Sequence, residues 1–348
     1  MNAPYALVIG ESQVDVIMDG LGVRKSPGGS PANVAAGLGR LDHPVRLATW
    51  FGHDEHGRMV ADHLARSHVE IVPGSDQAPC TSTQSVSADG SLAGHRELDL
   101  TWRLIDLPDA VEKDPPLLVH VGSVSATDRP GGDLILDAVR RFHGKSTISY
   151  APSIRPDTTE PMDEARELVE EFVRLADIVT ISARDLNRLY PNGDDSVTRV
   201  VRWASRGLAL SVTTMGPGGS FGLCRSGVAI VPPPNVGPFG AFLWNQATGV
   251  EFPTPRLEMI DPIGATDAFV TGLLDGLWSV GLLGRGADAL ADMGTGRLEQ
   301  LLRHAADAEG ITLAQPGATM PWRADLPALP PGEAPQPEGL PPIKSPRV

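Results

Sequence analysis

Tyr5-Ala-Leu-Val-Ile-Gly10 is an apolar run too short for a helix and closed by a turn residue, the texture of a strand buried on both faces. The same texture returns at residues 117–121, 147–150, 177–181 and 208–213. Between these runs, residues 31–41, 55–67, 132–142, 162–175, 197–206 and 265–280 carry apolar side chains at helical spacing. Short buried strands alternating with helices build βαβ units. The expected fold is therefore α/β, a doubly wound, mostly parallel sheet with helices on both faces. Two stretches break the rhythm. Residues 13–18, and then 81–88 with 95–102, alternate polar and apolar positions with no helix between them, as strands with one solvated face do. They are expected to form a small antiparallel sheet projecting from the main domain.

The 348 residues are 41% hydrophobic, enough for one large core and more than a string of small modules needs. Acidic residues outnumber basic ones 43 to 29, a net charge of -14, which argues against the basic surface a nucleic-acid partner requires. Cys80 and Cys224 stand far apart, so neither a disulfide framework nor a cysteine zinc site is available and a reducing cytoplasm is expected. The first residues lack the basic and apolar regions of a leader, and no uncharged apolar run reaches the ~18 residues of a membrane span, so no membrane partner is expected. One domain is expected over residues 1–324. Residues 325–348, dense in Pro, Gly and Glu, read as a disordered tail. Gly216-Pro-Gly-Gly-Ser-Phe221 is echoed 21 residues later by Gly237-Pro-Phe-Gly-Ala-Phe242, which reads as a duplicated hairpin.

Two apparent motifs have ordinary explanations. His53-Asp-Glu-His56 with His63 and His68 fits the polar face of an amphipathic helix better than a metal site, since no third-ligand signature accompanies it. Gly144-Lys-Ser-Thr147 imitates the end of a phosphate loop. It has Val139 where the motif's first glycine belongs, and it enters a strand instead of a helix. Two other stretches carry more. Asp261-Pro-Ile-Gly-Ala-Thr-Asp-Ala-Phe269 is a glycine turn opening a helix, which aims unpaired N–H groups and the positive dipole end at one spot. Asp267 sits in that first turn, either as a base for an attacking hydroxyl or as a simple complement to the helix dipole. Gly28-Gly-Ser-Pro-Ala-Asn33 pairs glycines that admit close backbone approach with an amide offering both donor and acceptor to a polyol.

Together these two stretches resemble the signature regions of the ribokinase-like (PfkB) carbohydrate kinases, over residues from about 5 to about 321. Intervening pieces match in order: Gly10-Glu11 with Asp15, Phe51-Gly-His-Asp-Glu-His-Gly57, Val119-His-Val-Gly-Ser123, Ile154-Arg-Pro156, Ser182-Ala-Arg-Asp-Leu186 with Leu189-Tyr-Pro191, Thr214-Met-Gly-Pro-Gly-Gly219, and Pro316-Gly-Ala318. The spelling is closer to bacterial fructokinases than to ribokinases or adenosine kinases. The resemblance implies that Asp15, Gly29 and Asn33 hold sugar hydroxyls. The projecting sheet, from about 11–25 and 80–103, becomes a lid, with Arg96 and Arg103 as substrate contacts. Gly264, Ala265 and Thr266 supply an anion hole and Asp267 is the catalytic base. Ser182, Asp185, Thr214, Gly216 and Gly219 border ATP, with Asp185 organising Mg²⁺ indirectly and Asp261 lying beside a potassium ion. A sugar substrate and a homodimer joined through the lid complete the expectation.

Several positions depart from the family pattern. Thr266 replaces a glycine of the anion hole, Pro262 a threonine, Ala151-Pro-Ser153 an Asp-Pro-Asn, and Ala306 an asparagine near the adenine. All fall on the Mg·ATP side. Two classes of function therefore follow from the sequence: an ATP-dependent sugar kinase, most simply acting on fructose, and a catalytically weakened sugar-binding or regulatory protein on the same fold.

Overall fold

The computed structural model describes residues 3–19, 22–87, 92–97, 114–155, 161–191, 196–236, 258–284 and 286–330. Its strands are β1 Ala6–Ile9, β2 Gln13–Asp19, β3 Gly22–Gly28, β4 Val45–Ala48, β5 Val69–Ile71, β6 Thr83–Ser87, β7 Leu92–Glu97, β8 Leu118–Ser123, β9 Thr147–Pro152, β10 Ile178–Ser182, β11 Leu210–Thr214, β12 Ser220–Cys224 and β13 Gly227–Val231. Its helices are α1 Ser30–Arg40, α2 Glu55–Arg66, α3 Gly131–Phe142, α4 Met162–Leu175, α5 Ala183–Leu189, α6 Ser196–Ala204, α7 Ala265–Ser279, α8 Ala287–Ala291 and α9 Thr295–Leu313.

Nine strands form the main sheet in the order β13-β12-β11-β10-β9-β8-β1-β4-β5. Pairings from β11 across to β5 are parallel, and the β12–β13 hairpin adds an antiparallel edge. Strand alternation divides the core: on β1, Ala6 and Val8 join the cluster containing α1, α7 and α9, while Leu7 and Ile9 join the one containing α3, α4 and α6. Each face of the sheet is thus sealed by helices, as the unbroken apolar spelling of its strands requires. The chain runs from β1 outward to β4 and β5, then returns to β8 and proceeds the opposite way. The strand order therefore reverses between β1 and β8, which opens a crevice at the carboxyl ends of these strands.

The smaller sheet, in the order β3-β2-β6-β7, joins two antiparallel hairpins through a parallel seam between β2 and β6. Pro27 falls on the edge strand β3, where a missing N–H costs no ladder bond. The histidine stretch forms α2 and the turn before it. Asp54 caps that helix by accepting from the Gly57 N–H at 2.7 Å, and no metal-binding cluster exists among the described residues. Gly144-Lys-Ser-Thr147 turns into β9, as expected of a loop without phosphate-binding geometry. No described helix is long and apolar enough to cross a membrane. The echo at residues 237–242 lies outside the described residues. The tail boundary moves: Leu326 is 3% exposed and Leu329 packs against the main core, so residues 325–330 belong to the folded body, and residues 331–348 lie outside the described part.

Candidate active site

The segments that follow β1, β8, β9, β10 and β11 all start at one end of the sheet and carry Glu11, Ser125, Arg155, Asp185 (in the first turn of α5) and Gly216. Across the reversal point, Glu11 Oε2 accepts from the Ser125 hydroxyl at 2.6 Å and from the Ser125 N–H at 3.2 Å. The Ser125 bonds hold a nearly buried carboxylate at the carboxyl ends of β1 and β8. Facing it is the start of α7. Gly264 caps that helix at φ 80, a left-handed conformation, and a Cβ there would stand 2.6 Å from the Ala318 Cβ, so only glycine makes this turn. The first intrahelical bond runs from the Ala268 N–H to the Gly264 carbonyl. The amides of Thr266 and Asp267 precede it and have no helical acceptor, whereas the Ala265 N–H donates to the Pro262 carbonyl at 3.3 Å. Of the expected anion-hole residues Gly264, Ala265 and Thr266, it is Thr266 that keeps a helix-start amide without a helical acceptor.

Asp267 and Asn33 meet there. The Asn33 Nδ2 donates to Asp267 Oδ2 at 2.7 Å across 234 positions of sequence, joining the two signature stretches. Burial pushes the Asp267 carboxyl up to about 6. The Asn33 and Ser30 side chains pull it down, the Glu11 charge raises it and Arg155 lowers it. A carboxylate poised there is ionised at neutral pH and still basic enough to take a hydroxyl proton in flight.

The residues expected to hold the sugar lie next to this pair. Asp15, on β2, is 6% exposed and its Oδ1 accepts from the Gln13 side chain at 2.7 Å. Gly28 lies against it so closely that a Cβ would overlap the carboxylate. Gly29 then turns into α1 at φ 97, where a Cβ would stand 2.7 Å from the Glu11 carbonyl oxygen. Gly28→Ala is expected to push the Asp15 carboxylate out of place and raise KM for the sugar ~10-fold, with a smaller change in kcat. Steady-state kinetics read this split, and an unchanged KM would show that Asp15 does not hold substrate. Arg96 lies on β7 opposite Gln84, and Arg103 falls outside the described residues.

The residues expected to border ATP lie at the neighbouring strand ends. Ser182 caps α5: its hydroxyl donates to Asp185 Oδ2 at 2.8 Å and accepts from the Asp185 N–H at 3.0 Å. Arg188 approaches the other Asp185 oxygen at 3.3 Å and donates to the Ile154 carbonyl at 2.8 Å. With both oxygens engaged, Asp185 fits an outer, water-mediated role toward a metal better than direct ligation. Burial raises its pKa, and the Ser182 and Arg188 bonds oppose that. Thr214 ends β11, Gly216 to Gly218 form an exposed turn, and Gly219 at φ 81 returns the chain into β12. No described contact joins these residues directly to Asp267. The bridge is the segment after β9, where Ile154 meets Arg188 and Arg155 acts electrostatically on Asp267.

Glu11 and Arg155 received no role from the sequence, although both stand in quoted motif pieces. Their signal was weak because their partners, Ser125 and Asp267, are more than a hundred positions away. Among the departures, Thr266 is exposed, so its side chain is not packed into the protein, while Ala306 is buried in the main core. Asp261 differs from expectation. Its carboxylate accepts from the Ile263 N–H at 3.0 Å, the Gly317 N–H at 2.8 Å and Arg24 Nη2 at 3.1 Å. Three donors, one of them a guanidinium, engage both carboxylate oxygens and already bring a positive charge, so the chemistry around Asp261 does not fit the potassium ion expected beside it.

A glycine-capped helix with a partly buried carboxylate in its first turn, bonded to Asn33 at the carboxyl ends of a doubly wound sheet, is the arrangement against which the comparisons are set. The model of the pfkB family carbohydrate kinases matches residues 4–324. The chain belongs to that family and is a sugar kinase. A fructokinase of Klebsiella pneumoniae is 30% identical over 288 residues, covering 79% of this chain and 85% of the relative. Among solved structures, the fructokinase with bound ATP from Xylella fastidiosa superposes with a TM-score of 0.73 at 23% identity, covering 92% of this chain and 96% of its own. A double-mutant fructokinase of Vibrio cholerae O395, in its fructose, ADP and potassium ion bound form, gives a TM-score of 0.66 at 23% identity and covers 94% and 95%.

Proposed function

We propose that this protein transfers the γ-phosphoryl group of ATP to a primary hydroxyl of a sugar, with fructose as the acceptor. The observation that carries the reading is the 2.7 Å bond between Asn33 and Asp267 at the start of α7, which supports reading Asn33 as a sugar contact beside Asp267 as base and the α7 amides as anion hole. Asp15, Gly29 and Asn33 orient the sugar so that one hydroxyl points along Asp267. As the oxygen bonds to the γ-phosphorus, its proton passes to the Asp267 carboxylate, the bond from the γ-phosphorus to the bridging oxygen breaks, and ADP leaves. The α7 amides at Thr266 and Asp267 stabilise the charge on the equatorial oxygens. Asp185 would help hold a magnesium ion brought in with the nucleotide, and that ion would supply positive charge to offset the phosphate charge during transfer. Closure of the small sheet over the crevice excludes water, which otherwise competes as acceptor.

The Klebsiella relative's name supports the choice of fructose. The reading includes a cytoplasmic setting and a homodimer formed through the lid, where Met18 and Val23 face each other across β2 and β3 and stand exposed. Phosphorus NMR of the product tests the reaction: a sugar phosphate ester that accumulates only with ATP and acceptor together is expected, and inorganic phosphate as the sole product would refute sugar transfer. Light scattering of the purified chain at increasing concentration tests the dimer.

A further inference from the structure

Asp261 sits three residues before the capping Gly264, and its carboxylate gathers three separate parts of the molecule. The Ile263 N–H belongs to the turn entering α7, the Gly317 N–H to the loop after α9, and Arg24 to strand β3 of the lid. Arg24 and Asp261 are 237 positions apart. The guanidinium also lies over Gly317, where a Cβ would stand 3.2 Å from Arg24 Nη1 and 3.3 Å from the Ser26 hydroxyl. Gly317 has φ 67, a conformation that disfavours any side chain, and a Cβ there would also crowd the Arg24 guanidinium and the Ser26 hydroxyl. The Leu313 carbonyl accepts from the Ile260 and Asp261 N–H groups at 2.8 and 3.2 Å, which fixes the carboxylate on the folded body.

The Asp261 side chain is 8% exposed, while that of Arg24 is 41% exposed. A nearly buried carboxylate needs a compensating positive charge, and here a solvent-reachable arm of the lid delivers one. We propose that Arg24 is a tethered cation: it supplies at Asp261 the charge that a free monovalent ion would otherwise supply, so the geometry of the anion hole depends on lid position and not on potassium. Arg24 touches neither substrate nor nucleotide in this scheme. It is a positioning residue, acting through Asp261 on the turn that aims the α7 amides. The kinetic consequence rests on the phosphotransfer reading, but cation binding and stability do not.

The test compares wild type, Arg24→Ala and Arg24→Lys in potassium chloride and in choline chloride of equal ionic strength, with three readouts. Saturable thallium(I) broadening in NMR reports the cation site, the thermal midpoint reports folding, and acceptor-dependent ADP release reports the kinase. Wild type and Arg24→Lys are expected to show no saturable thallium binding, equal midpoints in the two salts, and turnover that differs by less than about twofold. Arg24→Ala is expected to bind thallium saturably. Its midpoint is expected to fall in choline and recover in potassium, and its turnover to fall ~10-fold in choline with substantial recovery in potassium. Saturable thallium binding by wild type, or severalfold activation of wild type by potassium, overturns the proposal. So does an Arg24→Ala protein that matches wild type, or one equally impaired in both salts. Should no variant release ADP with any acceptor, the phosphotransfer reading fails while the thallium and thermal results still decide the cation role.

Discussion

Asp267→Asn is expected to lower sugar-dependent ADP formation by ~10³-fold while leaving sugar affinity within about threefold. Asparagine keeps the shape and can still pair with Asn33 after an amide flip, so the α7 start and the sugar-binding face persist. What disappears is the acceptor for the hydroxyl proton. The wild-type profile should carry the same signature. Burial raises the Asp267 carboxyl to about 6, so the base is ionised above that value and protonated below it. kcat/KM should therefore rise with pH through about 6 and level off above it. A stopped assay from mildly acidic to neutral pH, with calorimetric sugar titration of the variant, checks both statements. Near-normal turnover in Asp267→Asn would remove the residue from the chemistry.

The second large effect concerns stability. Asp275, two turns further along α7, is fully buried and gathers three cationic or ionisable partners. His43 Nε2 lies 2.6 Å from one oxygen and His304 Nε2 2.7 Å from the other, while Arg323 reaches both oxygens. Arg323 also donates to the Leu41 carbonyl, so one carboxylate ties α1, α7, α9 and the C-terminal segment together. These bonds overcome burial and hold the Asp275 carboxyl well below the usual carboxylate range. Because the folded-state pKa is depressed, the stabilisation is present above the unfolded-state value near 4 and is lost as pH falls through the folded-state value. Asp275→Asn is expected to cost about 3–5 kcal/mol, read as a lower urea midpoint at unchanged slope. It should also blunt the acid transition of the wild type. A loss below about 1 kcal/mol would show that the histidines and Arg323 find other partners.

The parts legible in the sequence were those whose signal is local. Uniform apolar runs marked β1, β8, β10 and β11, and the glycines flanking Asn33 and Asp267 marked both halves of the site. Shorter strands escaped notice because their alternation was broken by charge: Arg46 on β4 and Glu70 on β5 are cross-strand partners 3.0 Å apart. Helix α9 escaped for a different reason. It approaches α7 through small residues, with Gly272 so near Ala308 that a Cβ would stand 2.7 Å from the alanine methyl, and small side chains leave a faint hydrophobic period. Arg24 carried no motif at all. Its role depends on Asp261, 237 positions away, and only the folded chain brings them together.

The central claim is that this chain phosphorylates a sugar, and acceptor-dependent ADP release by the purified protein with Mg·ATP tests it most directly. A panel of monosaccharides and nucleosides, with Asp267→Asn as control, is expected to show ADP release strongest with fructose and lost in the variant. Absence of ADP release with every acceptor, while calorimetry still detects sugar binding, would contradict the account and assign the fold to sugar sensing.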